Sequence, residues 1–271
     1  GRRPRIHFPG GVYHVISRGN QRQVIFNGGN DYHQFQVFLE EAQKRYSFTL
    51  YAYVLMPNHF HLLIEVGSYP LSKVMQTLLY RYTRYYNKRH NKVGHLFQGR
   101  YRAILCDKES YLMELIRYLH LNPVRAGLVK DAKEYVWSSH GNYLKGRDTG
   151  GVSAEEALSY WSKRRSDAVR RYKEFVLDGV GQGHREEYYE VKDQRYLGEE
   201  DFIERVERGQ EKVVEASHVR LTIEEVVEEI ARYWRKDVEA VLGSGREREA
   251  SKLRAIAAYV GREVGGHLRK L

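Results

Sequence analysis

The chain has 271 residues, 42% of them hydrophobic, and a formal net charge of +10 from 45 Lys and Arg against 35 Asp and Glu. That length permits one large domain or two smaller ones with ample core. No apolar run approaches a bilayer span, so a soluble protein without a membrane partner is expected. The lone cysteine, Cys106, excludes an internal disulfide and fits a reducing cytoplasm. The basic start, Gly1 to Arg5, is followed by no apolar signal region.

The charge is unevenly spread. Residues 1–145 carry 21 Lys and Arg against 9 acids, whereas residues 146–271 carry 24 against 26. From Gly67 to Cys106 there are eight basic residues and no acidic one. A field of one sign over one domain favours a polyanion as partner.

In chain order, a strand is expected near 11–17, then turns at Gly19-Asn20 and Gly28-Gly29. A helix follows over about 31–46, with Phe35, Phe38, Leu39 and Ala42 at helical spacing. Strands near 49–55 and 59–66 are joined by the turn pair Pro57-Asn58. A long helix over 71–90 buries Leu71, Val74, Met75, Leu78, Leu79, Tyr82 and Tyr86. A strand over 101–106 precedes a helix over 108–121, which Asn122-Pro123 is expected to stop. This order suggests an α+β domain, an antiparallel sheet with helices mainly on one face. The polar, glycine-rich stretch 141–151 suggests a boundary. It divides the chain into a first domain over 1–145, a charged helical linker region over 146–220 and a helical segment over 221–271. That last segment opens on Thr222 and Glu225 at capping-box spacing.

The most informative stretch is Met56–Val66, Met-Pro-Asn-His-Phe-His-Leu-Leu-Ile-Glu-Val. Alternation along a strand puts Phe60, Leu62, Ile64 and Val66 on one apolar face and projects His59 and His61 together from the other. Two such imidazoles can share a metal ion, although a pair taken alone also suits ordinary sheet-surface histidines. In the helix after Asp107, Leu112, Leu115, Ile116 and Leu119 form the core stripe. Tyr118 and Asn122, one turn apart, lie on its border, which makes Tyr118 semi-buried at a helix–sheet seam. His120 is expected to point away from the core and is set aside as a ligand.

Taken together, Met56–Leu62, Gly94-His-Leu-Phe-Gln-Gly-Arg-Tyr, Tyr118-Leu-His-Leu-Asn-Pro-Val-Arg-Ala-Gly-Leu-Val and the first strand, Val12-Tyr-His-Val-Ile-Ser-Arg-Gly-Asn, resemble the single-tyrosine transposases of the HUH class, in particular their REP-associated branch. The resemblance spans about residues 3–143 and implies the HUH, ferredoxin-like fold. It implies that His59 and His61 bind metal, that Asn122 supplies a third ligand and that Tyr118 is the nucleophile. The implied cofactor is Mg2+ or Mn2+, with manganese equally suited to two imidazoles and an amide. The implied reaction is cleavage and rejoining of single-stranded DNA through a 5′-phosphotyrosine, at repeat hairpins.

Around that site, Lys73, Arg81, Arg84 and Lys88 share one helix face that could track phosphates. Arg100, Arg102 and Arg125 are further DNA contacts, and Phe97 and Tyr101 could stack on bases. Residues 221–264 are loosely similar to the early helices of the helix-turn-helix domain in the bacterial chromosomal replication initiator. The segment ending at Leu271 is expected to lack that domain's recognition helix, and a plain helical packing module is an alternative. Two other functions stay open on the residues alone. One is a non-catalytic binder of single-stranded DNA or RNA; the other is a metal-dependent nuclease using water, with Tyr118 structural. A monomer and a homodimer are equally compatible with the sequence.

Overall fold

The structure, a computed structural model, describes residues 7–181, 196–198 and 201–206, with the single positions 208, 227, 228, 231, 232 and 238. The helical segment expected over 221–271 lies almost entirely outside the described residues. The chain divides into two compact units, Gly1–Glu207 and Arg208–Leu271. The boundary drawn at 145 from composition thus falls inside the first unit.

Strand β1 (Val12–Arg18) leads into helix α1 (Gly29–Tyr46), the hairpin β2 (Thr49–Met56) and β3 (His59–Glu65), helix α2 (Leu71–Arg89) and strand β4 (Arg102–Cys106). Helix α3 (Lys108–Arg125), the short helices α4 (His140–Lys145) and α5 (Ala154–Ser159), helix α6 (Arg165–Asp178) and strand β5 (Tyr196–Leu197) follow. The sheet order is β2-β3-β1-β4-β5, antiparallel except where β5 runs parallel to β4. The first four strands with α1 and α2 make the split β-α-β arrangement of ferredoxin-like folds. The β2–β3 hairpin closes through Pro57-Asn58, with Met56 paired to His59.

Register decides what each sheet face carries. Ile16 faces His61, Arg18 faces His59 and His14 faces Leu63 across the β1–β3 ladder. Alternation then gathers His14, Ile16, Arg18, His59 and His61 on one face, and Phe60, Leu62 and Ile64 on the other. Helices α1 and α2 cover the second face, where Phe35 packs on Phe60 at 4.8 Å and on Tyr82 at 5.1 Å between ring centroids. Helix α3 lies across the first, bringing Tyr118 against His14 and His61.

Helix α3 departs from expectation in two ways. Asp107 caps its start by accepting from the Glu109 N–H at 3.2 Å, but Pro123 does not stop it. The helix continues to Arg125, because a proline in the last turn removes a single hydrogen bond and the Ala126 N–H still reaches Asn122 O at 2.9 Å. His120 is fully buried rather than turned to solvent. Its Nδ1 lies 2.7 Å from the Tyr172 hydroxyl and its Nε2 2.7 Å from Ser139 Oγ, and His140 Nδ1 meets the same tyrosine. The face of α3 away from the sheet is therefore interior too, covered by α4 and α6.

The stretch 137–153 also serves the sheet directly. Leu55 N donates to Trp137 O, Ser139 N to Tyr53 O and Ser153 N to Leu50 O, at 2.9, 3.0 and 2.9 Å. These bonds satisfy the outer edge of β2. Near the start of that strand, where Thr49 pairs with Glu65, Lys108 Nζ sits 2.8 Å from Glu65 and 3.0 Å from Glu156 of α5.

Candidate active site

His59 opens β3 immediately after the hairpin turn, and its Nδ1 lies 2.7 Å from Asn58 Oδ1. An amide oxygen only accepts, so Nδ1 carries the proton and Nε2 keeps a lone pair. Burial, with Arg18 adding, pushes the His59 imidazole down to about 4, so it is neutral at pH 7 and able to ligate. His61 is buried deeper, and its Nδ1 lies 2.9 Å from Nε2 of His14. The two rings are 5.1 Å apart and nearly parallel. His59 and His61 are likewise 5.1 Å apart, ring to ring.

Tyr118 closes this cluster from above, its ring 6.5 Å from His61 and 6.3 Å from His14, edge-on to both. It is 1% exposed, not semi-buried as the helix stripe alone implied, because α3 has protein on both sides. Arg125 holds it from the next turns. Its guanidinium donates to Tyr118 O at 3.0 Å and lies 4.8 Å from the phenol ring centroid. That duty ties Arg125 to Tyr118, beside its expected role as a DNA contact.

Asn122 lies one turn beyond Tyr118 on α3, and its buried Nδ2 has no hydrogen-bond partner. As placed, that NH2 group calls for an acceptor such as a phosphate oxygen, and exchange of amide oxygen and nitrogen by a flip would instead present an oxygen there. Among the described residues, no three His, Cys, Asp or Glu side chains gather to hold a metal. A cation here would use the His59 and His61 imidazoles and complete its shell with the Asn122 amide, water or substrate oxygen. The donor set fits manganese or magnesium on those terms.

The DNA-contact residues separate by face. Lys73, Arg84 and Lys88 are exposed on α2, which covers the sheet face opposite Tyr118. Arg81 is engaged with Glu41 and packs over Phe38. Phe97 and Tyr101 are buried, with Phe97 against Phe60 and Tyr82, so neither offers a free ring to a base. Arg100 is exposed, and Arg102 lies near enough to His14 to depress its basicity. Sequence reasoning missed two residues of the cluster, His14 and Arg18. Period-two alternation along Val12–Arg18, aligned with His59 and His61, is the signal that could have found them.

Residues 9–122 match the family described as transposase, IS200 like. That match agrees with the resemblance read from the motifs over the same part of the chain. A structure of a REP-associated tyrosine transposase bound to a REP hairpin is 16% identical over 56% of this chain and 91% of its own, with a TM-score of 0.46. A second, described as a candidate transposase from Deinococcus radiodurans, is 16% identical over 44% of this chain and 95% of its own, at a TM-score of 0.32. No curated protein matches the chain in sequence.

Proposed function

We propose that this chain cleaves and rejoins single-stranded DNA by transesterification, with Tyr118 as nucleophile and repeat hairpins as substrate. The observation that carries the reading is the packing of Tyr118 against His61, 6.5 Å apart, on the sheet face that also presents His59.

The Tyr118 oxygen attacks the scissile phosphorus, the bond from phosphorus to the 3′-oxygen breaks, and the phenol proton leaves as the 3′-oxygen gains one. The 5′ end remains ester-linked to Tyr118, and a second 3′-hydroxyl can reverse the step. Phenol has a pKa near 10, so the attack needs charge stabilisation. A divalent manganese or magnesium ion held by His59 and His61, with Asn122, would polarise the phosphate. The surrounding residues serve orientation: Asn58 fixes the His59 ring, and Arg125 holds Tyr118 through its carbonyl and ring face.

The burial of Tyr118 favours one second reading, a metal-dependent nuclease using water with Tyr118 structural. Incubation of the protein with single-stranded hairpin oligonucleotides and Mn2+ separates the two. Transesterification gives a protein–DNA adduct stable in denaturing gels, absent with Tyr118→Phe and retained with Tyr111→Phe. Cut products without any adduct would instead assign the chemistry to water.

A further inference from the structure

We infer that His14 is a positioning residue that selects which nitrogen His61 offers to a metal, an inference resting on the metal-binding role proposed above for His61. His14 Nε2 and His61 Nδ1 are 2.9 Å apart, close enough for a hydrogen bond, and the bond has room for one proton. If that proton belongs to His14 Nε2, His61 accepts at Nδ1. A neutral His61 then carries its own proton on Nε2 and has no lone pair for a cation. If it belongs to His61 Nδ1, His14 accepts, and His61 Nε2 carries a lone pair that can ligate. The tautomer of one ring therefore sets the function of the other.

Two observations hold the contact in place, and a third favours the second arrangement. The β1–β3 register places His14 diagonally beside His61 on one sheet face, so the contact is built into the ladder rather than made by a flexible chain. The two rings stack within 23° of parallel, both buried, which restricts rotation away from the bond. His59, the proposed second ligand, is anchored in the same sense, its Nδ1 held by Asn58 Oδ1 with Nε2 left over. Ligating histidines as a class donate their remaining ring N–H to an acceptor that fixes ring and tautomer. Here the acceptor for His61 is another imidazole.

The test compares the wild-type protein with His14→Gln, whose amide oxygen can still accept, and His14→Leu, which cannot. Imidazole 15N spectra of the histidine-labelled protein without metal should show His61 protonated on Nδ1 in the wild type and in His14→Gln. In His14→Leu it should shift toward the Nε2-protonated form. Mn2+ affinity, followed by the resonance of the free ion, should fall about 10–100-fold in His14→Leu and stay within about threefold of wild type in His14→Gln. His61 protonated on Nε2 in the wild type overturns the inference without need of any variant. Unchanged Mn2+ affinity in His14→Leu overturns it while leaving the metal site standing. A wild type that binds no Mn2+ removes the metal site and the positioning role together.

Discussion

His59 and His61 share a strand face but are held differently, and their variants should differ accordingly. His59 is only partly buried and bonded within its own hairpin turn. His59→Ala should therefore lose metal binding and cleavage at a stability cost of about 1 kcal/mol. His61 is buried and bonded to His14. His61→Ala should lose the same activity but also leave a cavity and an uncompensated buried imidazole, costing about 2–4 kcal/mol. Urea denaturation of both variants, read beside Mn2+ binding, checks the pair. Full cleavage by the double variant in chelator would remove both residues from the site. Tyr118→Phe keeps the ring packed on His14 and His61, and should shift stability by roughly 1 kcal/mol or less while abolishing the covalent step.

At the scale of elements, helix α3 holds the site because it is gripped from two sides. Tyr118 looks to the sheet, and His120, two residues on, meets Tyr172 of α6 and Ser139. Tyr172→Phe removes a hydroxyl shared by His120 and His140 and leaves buried ring nitrogens unmatched, for an expected loss of about 1–3 kcal/mol in thermal or urea unfolding. A loss near zero would mean that α6 does not fasten α3. For the same reason a chain ending at Lys145 should unfold at lower temperature than one ending at Glu207, since it lacks Tyr172 and the Glu156 partner of Lys108. Strands β1 to β4, α1 and α2 were legible in sequence within a residue or two, because each has one apolar face and a clear stop, whereas β5 falls in the region read as helical. The pairing of His59 with His61 was legible for the same reason. Helix α3 was not, because a helix covered on both sides has no polar face to mark its orientation. His120 therefore read as outward and Tyr118 as half-exposed. Nor could composition reveal that 137–153 closes the edge of β2, since those contacts are made by backbone groups.

Across the whole molecule, two solution properties follow from charge and burial. Burial pushes His14 down to about 3, with Arg102 adding, and His140 down to about 4; it also lowers His120 well below its usual value, with His140 adding. The unfolded chain binds these protons near pH 6.5, so the stability tied to neutral rings is complete above that pH. It is lost as pH falls from about 6.5 toward 4, by up to about 1.4 kcal/mol per pH unit for each ring. A stability curve flat from pH 7 to 4.5 would contradict the burial of these rings. The basic excess of residues 1–145, 21 Lys and Arg against 9 acids, should make DNA affinity fall with salt, and single strands or hairpins should bind more tightly than blunt duplex at one salt concentration.

The central claim is a phosphotyrosine at one position with one polarity, and end-labelled substrate reads both. A hairpin strand labelled at its 3′ end, incubated with the protein and Mn2+, should migrate with the protein in a denaturing gel, while the 5′-labelled strand yields only a free shortened fragment. Mass spectrometry of the adduct should place the phosphate on the peptide containing Tyr118. Label on the protein from the 5′ end, a linkage on another residue, or cleavage with both labels on free DNA would contradict the account.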